Sequence, residues 1–362
     1  MRRGDVIRVL TPPLLLCLAA LSGCSSPAAG GARGGAAVPV GDGIMTPVER
    51  SALRERAIAE LERQAFAEWA LLRANAMEGL SPAPARAQGV VRAGLADDNE
   101  GVRAIAAMLA GELGMRDSAA SLRAMRSDPS PLVRIGAIAG LAMMGEEVDQ
   151  TPLARMLEHE REDVRRQAAF ALGEIGNPSA IPLLRSAVRG KAGTTPGGCG
   201  AIFRMQAAEA MVKLGETEAL NAIRAGLYPA TVEQVEAAVI ACQILGEVGD
   251  TSAAKQLVEI VEFTRPGSPA SGSGGRVSYL YPPELRLAAA TALVKLGYEP
   301  RGAVGMAFQE DAAPTVRAQV AFLYGEIGSG EFLERLELLM DDPDPLVRIA
   351  ASASVVDALA TR

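Results

Sequence analysis

The sequence predicts an all-α protein, an α-solenoid formed by a superhelical array of helical hairpins. Three observations carry that expectation: one apolar template recurs along the chain, its apolar positions follow the helical period, and the composition suits thin helix contacts. The 362 residues are 49% apolar but only 4% aromatic, so burial must rest on Ala, Leu, Val and Ile. That is the supply for many close helix-helix contacts, not for one large aromatic core.

The template reads VRAIAAMLAGELG at 102–114, VRIGAIAGLAMMG at 133–145, VRRQAAFALGEIG at 164–176, FRMQAAEAMVKLG at 203–215, LRLAAATALVKLG at 285–297 and VRAQVAFLYGEIG at 316–328. AAVIACQILGEVG at 237–249 keeps it with Ala238 at the Arg position, and 71–80 and 346–359 extend it at either end. Self-similarity at 30 to 50 residues marks a repeat architecture before any single element is read. The marker positions are Arg73, Arg103, Arg134, Arg165, Arg204, Ala238, Arg286, Arg317 and Arg348, with steps of 30, 31, 31, 39, 34, 48, 31 and 31.

Within one unit Val164, Ala168, Ala171, Leu172 and Ile175 form a helical stripe that Gly176 ends. Ala180, Ile181, Leu184, Ala187 and Val188 form a second stripe. Each unit is therefore expected to be a hairpin whose faces are buried by its neighbours. Ala106, Ala137, Ala168, Ala207, Ala241, Ala289 and Ala351 recur three places after the marker, where a small side chain lets helices approach to about 8–10 Å. Ser130-Pro131 and Asp344-Pro345 predict capped helix starts, and Thr46-Pro47-Val48-Glu49 has capping-box spacing ahead of a helical stretch expected to run to Leu80. The last Arg-bearing helix has no second helix after it in sequence, which leaves that end open to a partner or frayed.

At these residues the chain resembles the HEAT-repeat family, most closely its short variant in phycobilisome-linker lyases. The resemblance spans about residues 50 to 362 and implies a fold, not an activity. It also implies a ladder in which an Asp six residues before the repeat Arg links neighbouring repeats. Asp97/Arg103, Asp128/Arg134, Asp311/Arg317 and Asp342/Arg348 have that spacing. His159 stands at the Asp place before Arg165, and Gly198, Val232 and Leu280 stand there before positions 204, 238 and 286, so the ladder is expected to be interrupted in the middle.

Arg2, Arg3 and Arg8 precede an apolar run from Leu14 to Leu21, too short to span a bilayer and ordered as a secretory signal. Its end, Leu21-Ser22-Gly23-Cys24, resembles the lipobox of bacterial lipoproteins, which implies lipidation at Cys24 and a periplasm-facing, membrane-anchored protein. The expected organisation is a signal at 1–23, a Gly/Ala/Pro-rich tether at 24–45 and the array at 46–362. Loss of 1–23 leaves 33 basic and 42 acidic side chains. That acidic balance disfavours nucleic acid, as does the expected Asp pairing of the repeat Arg residues.

Two units are lengthened, by 190–200 (GKAGTTPGGCG) and by 264–283 (TRPGSPASGSGGRVSYLYPP). Both insertions join a second helix to the next first helix, so both are expected on one edge of the array. Alternating Val277, Tyr279 and Tyr281 in the second form a candidate partner-binding loop. The competing reading packs those tyrosines back on the array. No catalytic constellation, cofactor motif or metal-ligand set is visible. The one histidine, His159 between Glu158 and Glu160, resembles a single element of the di-iron HEAT-repeat hydroxylases, which require several His-Glu pairs. Cys199 and Cys242 lie in adjacent units, where a bridge and a buried free thiol are both open. The expected function is a non-enzymatic scaffold binding a protein or peptide along the concave face and the loop edge. The alternative is an accessory or enzyme resembling bilin lyases, handling a prosthetic group or modifying a partner; such lyases act inside the cell, and the export signal weighs against it.

Overall fold

A computed structural model describes residues 45–190, 199–229, 234–264, 279–299 and 302–360. The signal, Cys24 and almost all of the tether lie outside the described residues, as do 191–198 and 265–278 of the two insertions, including Val277.

Among the described residues there are eighteen α-helices in two concentric sets. The inner set carries the repeat markers: α2 (Ala70–Gly79), α4 (Glu100–Glu112), α6 (Pro131–Met143), α8 (Glu162–Ile175), α10 (Cys199–Lys213), α12 (Val235–Glu247), α14 (Pro283–Lys295), α16 (Pro314–Ile327) and α18 (Pro345–Ala358). Each packs on the next, α2 on α4 through α16 on α18, and α18 packs on α2. The outer set is α1 (Pro47–Gln64), α3 (Pro84–Gly94), α5 (Ala119–Met125), α7 (Thr151–Met156), α9 (Ile181–Arg189), α11 (Leu220–Ala225), α13 (Ala254–Glu262), α15 (Gly302–Phe308) and α17 (Gly330–Leu339).

The array thus closes into a ring, which corrects the expectation of an open last hairpin. The missing second helix of the final unit is α1, contributed from the other end of the chain and packed on α18. Leu53, Ala57, Ile58 and Leu61 form its buried face. Arg348 on α18 donates to Glu60 Oε1 (3.1 Å), and Arg56 on α1 bonds Glu337 (3.2 Å) and Asp341 (2.6 Å). The expected uninterrupted helix from 46 to 80 breaks at Ala65–Trp69, because α1 belongs to the last unit and α2 to the first. Burial raises the Glu60 carboxyl, but hydrogen bonds from Gln64, Arg63 and Arg348 outweigh it and hold Glu60 below the usual carboxylate range.

Local signals explain the helix limits. Thr46 and Glu49 complete the capping box, with Thr46 N–H donating to Glu49 (2.7 Å) and Glu49 N–H to the Thr46 hydroxyl (3.3 Å). Asp344 caps α18 by accepting from Leu346 N–H (2.8 Å). Ser130 makes no capping bond, a correction; its own N–H is held by the Asp128 carboxylate instead (2.8 Å). Gly176 ends α8 at φ 75°, a left-handed position that glycine enters without steric cost.

The recurring alanines are fully buried, and backbones meet most closely between α4 and α6. A Cβ at Gly140 would stand 2.3 Å from the carbonyl oxygen of Ala107. Inner helices all run one way, so the ring has a front rim where they begin and a back rim where they end. Both insertions join outer to inner helices and therefore leave from the front rim.

Candidate functional site

The repeat Arg residues act locally before they act between units. Each of Arg73, Arg103, Arg134, Arg165, Arg317 and Arg348 turns Nη1 back onto the carbonyls six and five residues earlier, as Arg103 does on Asp97 O (2.9 Å) and Asp98 O (3.0 Å). This fixes the turn entering each of these six inner helices. The rest of the guanidinium reaches the following unit: Arg73 bonds Asp97 (2.6 Å), Arg103 bonds Asp128 (3.2 Å) and Arg317 bonds Asp342 (2.8 Å). Arg348 meets Glu60 at the seam. Asp311 holds Ala313 N–H (2.9 Å), while its carbonyl accepts from Arg317.

The ladder changes partners in the middle. Arg165 lies 5.8 Å from the Phe203 ring and takes Glu162 of its own helix (3.4 Å). Arg286, 5% exposed, donates Nε to Val261 O (3.0 Å) with its guanidinium carbon 3.3 Å from the Tyr279 ring centroid. Burial lowers the Arg286 pKa, partly offset by Tyr279. Tyr279 is therefore half-buried over an arginine, and Tyr281 is half-buried against the core.

The insertion is stapled at its base. Thr264 pairs antiparallel with Tyr279, and Leu280 N–H donates to Phe263 O (2.9 Å). This leaves Phe263 (49%) and Leu280 (44%) exposed, with Tyr228 (42%) after α11 on the same rim. The Tyr228 hydroxyl donates to Glu259 (3.0 Å); burial first, then Glu259, raises its pKa. Phe66 and Trp69 are exposed on this rim at the start of α2. Of these five, the sequence drew attention only to Leu280, as the residue at a ladder place without Asp. The signal for them was apolar residues off the helical stripe at outer-to-inner junctions.

Inside the ring, α2, α4, α6 and α8 line a cavity of about 130 Å³ that is open on one side. Gln167 Nε2 donates to Met108 Sδ (2.7 Å) and Arg161 bonds Glu100 (2.9 Å), so α8 reaches across α6 to α4 and narrows the bore. Glu78 and Glu112 line one end, Asp163, Arg166 and Gln167 the other, with Ile105, Met108, Leu109 and Leu132 between. The Glu78 carboxyl is pushed up to about 8 by burial and by Glu112.

At the back rim, the place nine residues after the marker carries Glu174, Lys213, Glu247, Lys295 and Glu326. Lys213 joins Glu174 (2.6 Å) and Glu209 (2.7 Å), and Lys295 joins Glu247 and Glu326. His159 Nδ1 accepts from Arg161 N–H (3.1 Å), which makes it a turn residue. Cys242 is a buried free thiol, its pKa raised by burial.

Hairpins stacked through buried small residues and an Arg ladder define the class, an α-solenoid repeat protein, here closed on itself. Residues 90–169 and 150–242 match the model of HEAT repeats, and hairpins of the same build continue around the ring on either side of them. Among solved structures the chain is similar to the complex of CpcE and CpcF of phycocyanin lyase from a Nostoc species, with 19% identity, TM-score 0.39, and coverage of 80% of this chain and 98% of that one. It is also similar to human deoxyhypusine hydroxylase, with 16% identity, TM-score 0.35, and coverage of 85% and 98%. No curated protein sequence matches the chain.

Proposed function

We propose that this protein is a non-enzymatic docking ring held at the cell envelope by a lipid on Cys24, which binds a partner protein at its front rim. The observation that carries the reading is the rim patch of Tyr228, Phe263 and Leu280, whose apolar groups stand exposed on a base stapled by the Thr264–Tyr279 pairing. Exposed aromatic and aliphatic anchors on a rigid support are what partner recognition requires.

Chain direction supports the same arrangement. The turn after α1 is held by Arg73 at the front rim, where Nη1 meets Ala67 O (3.1 Å) and Glu68 O (2.7 Å). The start of α1, where the 24–45 segment joins, is therefore at the back rim. A lipid on Cys24 holds the back rim toward the membrane and leaves the patch facing the compartment.

The test places a photo-crosslinking residue at Leu280 in membranes. One dominant protein is expected, lost with Phe263→Ser while the circular dichroism is unchanged. An unchanged captured set in Phe263→Ser would remove the rim from the reading. Metabolic lipid labelling that persists in Cys24→Ser would remove the anchor.

A further inference from the structure

Phe66 and Trp69 are each 66% exposed, the most exposed aromatic side chains among the described residues, and Trp69 is the only tryptophan of the chain. Both stand at the turn between α1 and α2, whose backbone is fixed. Phe66 N–H donates to Arg63 O (3.3 Å) and Leu72 N–H to Trp69 O (3.0 Å), while Arg73 Nη1 holds the carbonyls of Ala67 (3.1 Å) and Glu68 (2.7 Å), which lie between the two rings in sequence. Ala67 and Ala70, beside them, pack on the core. Two large rings three residues apart on a fixed turn form an anchor of the kind that a partner's surface buries, with little ordering left to be done on binding.

The charge around the rings decides the sign of that partner. α18, α2 and α4 pack in succession, and the turns that enter them, 340–344, 65–69 and 95–99, hold six carboxylates and no lysine or arginine. Arginines from the helices reach four of the six: Arg56 bonds Asp341 (2.6 Å), Arg317 bonds Asp342 (2.8 Å), and Arg73 bonds both Asp97 (2.6 Å) and Asp98 (2.9 Å). Three guanidinium groups thus answer six carboxylates, and Arg348 is taken by Glu60. Glu68, between the rings in sequence, is exposed, and the Asp98 side chain is 92% exposed. Such a field repels phosphate groups and draws cations.

We propose that the Phe66/Trp69 turn docks a cationic segment of a partner protein, one in which arginine or lysine residues flank an apolar side chain. The apolar side chain covers the rings, a guanidinium or ammonium group stacks on the Trp69 face, and the flanking charges meet Glu68 and Asp98. The turn lies apart from the patch of Tyr228, Phe263 and Leu280, with at least two inner helices between them in either direction around the ring, so neither reading depends on the other.

Because Trp69 is the only tryptophan, its emission reads this turn and not the patch. The full chain is titrated with short acetylated peptide amides that alternate arginine with leucine, glutamate with leucine, or arginine with glycine. The arginine-leucine peptide is expected to give a saturating blue shift that weakens as salt is raised, with the other two binding about tenfold or more weaker. Phe66→Ser is expected to weaken that peptide about tenfold, and Glu68→Gln about twofold to fivefold. The peptide series on the unaltered protein decides alone if a variant fails to fold. No shift at about 1 mM peptide, or an equal shift with the glutamate-leucine peptide, overturns the proposal. So does a blue shift that appears with protein concentration alone alongside a dimer in sedimentation, which gives the rings to a second copy, or one produced by phosphatidylcholine vesicles and not by the peptide, which gives them to a lipid surface.

Discussion

The ring is held in two ways, and the contrast between its regular and irregular arcs shows what a repeat arginine needs. In the regular arcs, α2 to α6 and α16 to α18, units step by 30 or 31 residues and three of these arginines grip a carboxylate of the next unit: Arg73, Arg103 and Arg317. Across α8 to α14, where units lengthen, Arg165 and Arg286 keep their inward posture but face Phe203 and Tyr279. A buried guanidinium can be satisfied by a carbonyl and an aromatic face as well as by an ion pair. The insertion that broke the Asp spacing supplied the replacement ring from its own returning strand. Two kinds of joint therefore coexist in one ring, one sensitive to acid and one not.

The largest expected effect lies in the regular arc. Gly140→Ala puts a methyl group 2.3 Å from Ala107 O and should cost about 3 kcal/mol or more in chemical denaturation. Gly89→Ala, in open space on α3, should instead stabilise by about 0.5–1 kcal/mol. Arg317→Met should cost about 2–4 kcal/mol because it strands Asp342 in a part-buried site, and Arg286→Met, which strands only a carbonyl and rings, about 1–2 kcal/mol.

Acid separates these two arginine variants. Burial raises Asp342, but bonds from Arg317 and Asp344 N–H outweigh it and hold the folded pKa below the ordinary aspartate value of 3.8. The contribution is full above that unfolded value and is lost as pH falls through the folded one. The Arg317→Met penalty should therefore shrink in denaturation curves taken below pH 3.8 while the Arg286→Met penalty persists.

Glu78 has the opposite sign. Its folded value near 8 lies above the unfolded 4.5, so the folded state holds the proton longer and stability falls as pH rises between them. Glu78→Gln should stabilise by about 1–2 kcal/mol at the upper end of that window and by nothing below its lower end, read by urea midpoints. Smallest of all, Arg56→Ala at the exposed end of the seam should change stability by less than about 0.5 kcal/mol, since its pairs are solvated.

Much of the fold was legible because it is periodic. Marker spacing located all nine inner helices, and the Asp spacing identified the carboxylates that Arg103 and Arg317 meet. Closure was not legible, because it depends on the sum of small rotations over nine units and no single motif encodes it. A trace existed in the stripe of Leu53, Ala57, Ile58 and Leu61, which is apolar enough for a core helix yet stands ahead of the first marker. The reading that packs the insertion's tyrosines back on the array holds for Tyr279, but its partner was not legible: Arg286 showed only as a marker without an Asp before it, and the ring that covers it comes from the far end of an insertion. The cavity was invisible for a similar reason: Glu78 and Arg166 are 88 positions apart in sequence and meet only through curvature.

Closure also limits how such a molecule can change. An open stack can gain or drop a hairpin at little cost, since its terminal units need only polar outer faces. Here the first helix completes the ninth unit, so adding a hairpin would pull α1 away from α18 and bare the apolar faces of both. Growth is diverted into the connections, where extra length leaves the circumference untouched. Chain synthesis meets the same constraint: α1 is made well before α18 and has its principal partner only when that helix has followed.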